Sequence, residues 1–381
     1  MRKFFLSLAV AVLGLCLFLP AQAQDVTGTQ TYARAKVVEI LSDVPGTDSP
    51  LDDAEQIVIV EVLAGEDEGQ NVTITYTFSS SLYRDQHLEV GDRVIVANVN
   101  DARGDNYYVL DSYRLPAVLV YVVIFALAAV IFGRGRGAGS LLGLLVSLGI
   151  LMGFVVPRII AGDNPVVISF IASCAIAVTS ILLAHGFKRR TYVALVATLI
   201  ALVAAFALAM IAVMFAQLSG AGTEEAVYLQ LSYLPNLDLR GLLLGGIILG
   251  TLGVLDDVTT AQVAAVEEIG LANQSLGVTE LYKRGISVGR EHIAALVNTL
   301  ILAYAGASFP LFLLFALPDH PPLWILLNNE NIVEEVVRAL VGGTALMLAV
   351  PIATALAAAV FGSLPQDAHA HLHSKTSGHR H

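Results

Sequence analysis

The chain has 381 residues, of which 56% are hydrophobic and only 14% charged, with a mean hydropathy of +0.73. Apolar runs approaching 20 residues recur along it, which excludes an ordinary soluble domain and predicts a multi-span membrane protein. The net charge of −11 excludes nucleic acid as a partner.

Residues 1–23, MRKFFLSLAVAVLGLCLFLPAQA, carry Arg2 and Lys3, then an apolar stretch, then Ala21-Gln22-Ala23. This is the pattern of a secretory signal peptide, with retention as an uncleaved anchor as the alternative. Once it is removed, Cys174 is the only cysteine left, so no internal disulfide is expected.

Residues 24–114 alternate apolar and polar positions. YARAKVVEI, QIVIVEV, NVTITYTF, RVIVANV and YYVLDSY read as five short strands separated by turn-rich pieces such as AGEDEGQ and ARGDN. Five strands in this length predict a small exported β-barrel, OB-like or SH3-like. The segment holds 17 Asp and Glu against 6 Lys and Arg. Such carboxylates keep an exported barrel soluble; gathering cations is the sharper alternative.

Residues 115–362 form the helical membrane domain. Seven spans are predicted: Pro116–Phe132, Ala138–Val156, Val166–Gly186, Tyr192–Leu218, Gly241–Val266, Glu291–Leu317 and Val337–Gly362. Arg134, Arg136, Lys188, Arg189, Arg190, Lys283, Arg284 and Arg290 fall on one side of that arrangement. By the positive-inside rule, the N-terminal domain lies outside and the C-terminus in the cytoplasm. The stretch LPDHPPLWILLNNENIVEEVV reads as an interfacial or re-entrant helix, or else as a plain loop. Residues 363–381 are a His-rich tail. His369, His371 and His373 there are a candidate site for a divalent metal, against a disordered tail as the plain alternative. No cofactor is otherwise implied.

The sharpest feature is GVLDDVTTAQVAAVEEI, residues 253–269, which follows a glycine-rich apolar run. A helix stopping at Leu255 would span only about 22 Å, short of a hydrocarbon core of about 30 Å. The helix is therefore expected to continue through Asp256 and Asp257; the alternative is that these residues open a cytoplasmic segment. On a helical wheel Asp256, Asp257 and Thr260 share an arc with Gly245, Gly246, Gly250 and Gly253. Gly241/Gly245 and Gly246/Gly250 are small-xxx-small pairs that admit a close neighbouring helix. A carboxylate pair placed there suits exchange of a proton or small cation. In the next span, Asn298 needs a hydrogen-bond partner in mid-membrane, either a solute or another helix. Thr299 follows it, and Arg290 and Glu291 at its start read as a gate or ion pair.

The block from Gly253 to Ile269, with LYKRGISVGREHIAALVNTLILAYAGASFP after it, resembles the YibE/YibF-like family of bacterial multi-pass membrane proteins. The matching marks are Asp257, then Gly285, Gly289, Arg290 and Glu291, then Asn298 through Tyr304. Val258, Thr259, Thr260 and Gln262 depart from the pattern, as does Glu291, where Asp is more usual. The resemblance implies a permease-like protein of the bacterial cytoplasmic (inner) membrane, without naming a substrate.

Three functions compete. The first is a transporter moving a small cation or a proton-coupled solute past Asp256, Asp257, Thr260, Asn298 and Thr299. The second is a non-transporting receptor or assembly scaffold that binds through the exported β-domain. The third, an intramembrane aspartyl enzyme, needs a second catalytic aspartate on another helix. The spans offer none, so no enzyme is expected. The expected partners are the lipid bilayer, an unidentified solute or ion, and a second copy of the chain.

Overall fold

The structure is a computed structural model. It describes residues 30–44, 53–65, 67–79, 86–101, 104–314 and 321–362. The predicted signal segment, residues 1–23, and the tail with the candidate metal residues His369, His371 and His373 lie outside these residues. The chain divides into two compact units, Met1–Ala128 and Ala129–His381.

The β-domain has five antiparallel strands: β1 Gln30–Val44, β2 Asp53–Val62, β3 Asn71–Ser79, β4 Arg93–Asp101 and β5 Gly104–Ser112. Their order is β3-β2-β1-β4-β5. The fifteen residues of β1 pair with both β2 and β4. Irregularities in its pairing with β2, after Val37 and after Ile40, bend the strand. The edge strands β3 and β5 approach each other, so the sheet curls into a nearly closed barrel with OB-like connectivity. Strict alternation on β2 sends Ala54, Gln56, Val58, Val60 and Val62 inward, against Val37, Ile74, Leu88, Val94 and Val96. Gln56 is the polar exception in that core. It is satisfied by the backbone of Leu88, whose N–H donates to Oε1 at 2.9 Å and whose carbonyl accepts from Nε2 at 3.3 Å.

Among the described residues, six helices are long and apolar enough to cross a membrane. The first apolar stretch, Leu115–Ile160, comprises α1 (Leu115–Ile150), a π-turn (Leu151–Val155) and α2 (Val156–Ile160). Its 46 residues would run about 69 Å as one rod, twice what a bilayer needs. The rod is broken at Arg134, whose φ of 51° and ψ of −132° are not helical. A Cβ on Gly137 would collide with the carbonyl of Ala129, although eight residues of straight helix would separate the two by about 12 Å. The backbone therefore reverses at Arg134, between the first two predicted spans.

The remaining helices are α3 (Pro165–His185), α4 (Arg189–Phe215), α5 (Glu224–Ser232), α6 (Leu239–Ala272), α7 (Val278–Ala307), α8 (Phe309–Leu314), α9 (Leu323–Leu326) and α10 (Glu330–Phe361). Four begin with side-chain caps: Asn164 on α3, Thr223 on α5, Asp238 on α6 and Asn329 on α10. Two spans differ from expectation. The sixth starts at Val278 rather than Glu291, because LYKRGISVGR is an amphipathic helical segment that buries Leu281, Gly285 and Gly289 while its charges point away. That helix stops at Ala307, just before Pro310, which has no N–H to continue the helical ladder. The seventh starts at Glu330 and absorbs NIVEEVV, so the stretch read as an interfacial helix or loop keeps only the single turn α9 as a helix of its own.

Helix α6 lies in the middle of the bundle. Its Leu252, Leu255 and Val258 pack on Leu202 and Ala205 of α4 and on Ala345, Leu346 and Ala349 of α10. Lines of alanine on α4 (Ala194, Ala197, Ala201, Ala205, Ala209) and on α10 (Ala345, Ala349, Ala353, Ala357) are fully or almost fully buried. Small side chains let these backbones approach, and close approach is what holds helices together in lipid.

Candidate functional site

Helix α6 runs unbroken through Asp256 and Asp257 and continues to Ala272, about 51 Å in all. The two aspartates are thus interior to a helix rather than past its end. Adjacent helical residues point about 100° apart, and the pair divides accordingly. Asp256 turns into the bundle, where Ser180 Oγ of α3 donates to its Oδ2 at 2.8 Å. Its other oxygen, Oδ1, is buried with no hydrogen-bond partner among the described residues. Asp257 is exposed on the outside of the bundle. Thr260 donates to the backbone carbonyl of Asp256 at 2.9 Å, a bond that closes locally on α6.

Two further polar contacts cross the helices near this pair. Thr259 and Thr198 of α4 are both fully buried, and their hydroxyls meet at 2.5 Å. Gln262, also fully buried, donates from Nε2 to the Gly285 carbonyl of α7 at 2.8 Å and to Thr354 Oγ1 of α10 at 2.8 Å. Thr354 Oγ1 in turn donates a hydrogen bond to the Val350 carbonyl at 2.7 Å. The glycines of GISVGR make this possible. A Cβ on Gly285 would sit 2.7 Å from Val266 and 2.8 Å from Thr354, and one on Gly289 would sit 3.1 Å from Gln262 Nε2. Sequence reasoning missed Ser180, Thr198, Gln262 and Thr354 as members of this network. The legible signal was a glutamine in the apolar stripe Leu255, Thr259, Gln262, Val266.

The remaining predicted residues are placed elsewhere. Asn298 and Thr299 are exposed on α7; Thr299 donates to the Ala295 carbonyl at 3.0 Å, and no hydrogen bond joins Asn298 to either aspartate. Arg290 and Glu291 are exposed and form no ion pair with each other among the described residues. The ion pair between α4 and α6 is Arg190 with Glu267, at 3.4 Å. The glycine stripe serves two faces. Gly241 and Gly245 are buried against Val166 and Ser169 of α3, whereas Gly246, Gly250 and Gly253 are exposed, in line with Asp257.

At the end of α6 away from the aspartate pair, two glutamates of α10 hold the loop after α4. Glu330 Oε1 accepts from Ser219 N at 2.5 Å, Ser219 Oγ at 2.7 Å and Gly220 N at 3.0 Å, while Glu334 accepts from Gly222 N at 3.1 Å. Gly220 has a φ of +86°, which suits glycine. Among the described residues no group of three His, Cys, Asp or Glu is placed to hold a metal ion.

Membrane-length helices packed around an acid-bearing glycine-rich helix, together with a small β-domain, define a polytopic membrane protein. The chain belongs to the YibE/F-like family: residues 121–363 match the model described as YibE/F-like protein, and residues 33–111 match the YibE/F family N-terminal domain. No curated protein and no solved structure matches it.

Proposed function

We propose that the protein is a transporter, moving a small cation or a proton-coupled solute, with Asp256 as the exchanging group and Asp257 as its outward-facing neighbour. One observation carries the reading. Asp256 sits within a packed helix bundle, takes one hydrogen bond from Ser180, and keeps a second buried oxygen that no group among the described residues satisfies. A carboxylate inside a membrane span costs roughly 2.5–3.5 kcal/mol by insertion scales, so its retention favours use. In this reading the chain makes and breaks no bond and needs no cofactor. It lies in the bacterial cytoplasmic membrane with the β-domain outside and the C-terminus inside, an orientation supported by the basic residues on one side. The test is flux into liposomes loaded with a pH- or metal-sensitive dye, comparing wild type with Asp256→Asn and Asp257→Asn. Flux abolished by Asp256→Asn in a folded protein supports the reading; equal flux from all three sinks it.

A second reading, an assembly scaffold, draws on the exposed face of Gly246, Gly250 and Gly253. A side chain added at Gly246 or Gly253 would meet nothing within 4 Å. Such a small-residue face suits a second copy of the chain.

A further inference from the structure

A cavity of about 250 Å³ opens at the end of the bundle where α3 passes into α4. Arg136, His185, Arg190, Thr191 and Thr260 line it. Its walls are brought together by two backbone features. Gly139 lies so close to the Leu183 carbonyl that a Cβ there would collide, which draws Arg136 toward the end of α3. Gly186, at φ +72°, then ends α3 and lets the chain turn into α4.

The chemistry of the lining is that of an anion site. Arg190 and Thr191 lie in the first turn of the 27-residue α4, at the positive end of its dipole. Arg136 has no carboxylate partner among the described residues. Thr191 is only 2% exposed, and its hydroxyl has no hydrogen-bond partner among the described residues. An unpaired buried hydroxyl is costly, and an oxyanion would satisfy it. The acidic neighbours are Glu267, engaged by Arg190, and Asp257, exposed on α6. Thr260 spans the short distance to the acid pair, since it lines the cavity and also donates to the Asp256 carbonyl.

We propose that this cavity binds a phosphate group, carried either by free inorganic phosphate or by the headgroup of an anionic lipid. The assignment goes beyond the transport reading and does not depend on flux through Asp256.

The first arm titrates inorganic phosphate onto the purified full chain in detergent and follows thermal stability, with chloride at matched ionic strength as the reference. Wild type should show saturable stabilisation. Arg136→Gln and Thr191→Val should each weaken the apparent affinity by roughly tenfold, the loss expected for one charge-assisted hydrogen bond. Arg240→Gln, at the opposite end of α6, should leave it unchanged. The second arm exposes delipidated protein to phosphatidylglycerol and counts retained lipid by native mass spectrometry. Lipid held by wild type and lost in Arg136→Gln assigns the phosphate to a headgroup. A phosphate response without retained lipid assigns it to the free anion. The proposal is overturned if wild type shows neither response, or if Arg136→Gln and Thr191→Val respond as wild type does.

Discussion

Ser180 on α3 donates to Asp256 on α6 at 2.8 Å, joining residues 76 apart in the chain. The bond orients one carboxylate oxygen and leaves the other, buried and unpaired, for whatever the site exchanges. Asp256→Asn keeps an oxygen able to accept from Ser180, so the protein should fold while flux is lost. Asp257→Asn, on the exposed face, should reduce flux less. Ser180→Ala should lie between them. A melting curve beside each dye-flux trace separates lost function from lost fold; a Ser180→Ala trace that matches wild type would remove Ser180 from the site.

Gln262 ties three helices together, and its loss should read as stability. Gln262→Leu strands the Gly285 carbonyl and removes two hydrogen bonds, at a cost of about 1–3 kcal/mol. Gly289→Ala forces a methyl against Val350 and Gln262, for about 1–3 kcal/mol. Gly253→Ala meets nothing within 4 Å and should be neutral or stabilising by up to about 1 kcal/mol. Denaturation midpoints in one detergent give this ranking directly. Equal midpoints for Gly289→Ala and Gly253→Ala would contradict the packing described.

The loop after α4 is held by carboxylates as well as by the burial of Leu218. Glu330→Ala deprives Ser219 and Gly220 of their shared acceptor and should cost about 1–3 kcal/mol. Limited proteolysis should find the loop around Ser219 cut faster in that variant. An unchanged cleavage rate would show the clamp to be dispensable.

The face of Gly246 and Gly253 separates the two functional readings. Gly246→Leu with Gly253→Leu adds bulk where the bundle has room, so the folded monomer should keep its stability. If the chain assembles through this face, the double variant should shift the oligomer toward monomer in cross-linking or mass photometry. An unshifted distribution would leave transport by single bundles as the simpler account.

In the β-domain, the Arg114 hydrogen bond, with help from the Ser112 N–H, holds the Asp111 carboxyl below the usual carboxylate range. A lowered folded-state value favours the fold above the unfolded pKa, and that contribution disappears as pH falls through the lowered value. The pair is exposed, so the effect on stability is small. NMR titration should place Asp111 below an ordinary aspartate, and Arg114→Gln should move it upward. A midpoint indifferent to Arg114 would refute the pairing.

The sequence by itself determined the class of protein. Apolar length reports membrane spans and strict alternation reports strands, and both are local properties of the chain. The five strands and the apolar segments were legible for that reason, as was the continuation of α6 through Asp256; the count of membrane-length helices among the described residues is six where seven spans were expected. Helix ends were less legible where charge and apolarity share an amphipathic segment, as at Val278 and Glu330. Only the tertiary structure decided which of two adjacent aspartates faces inward. It also decided that Gln262, rather than Asn298, bridges helices, and that Arg190 pairs with Glu267 while Arg290 and Glu291 stand apart. Those outcomes depend on how each helix is rotated against neighbours many residues away, and that rotation is set by close contacts at Gly139, Gly245, Gly285 and Gly289, whose partners no local pattern names.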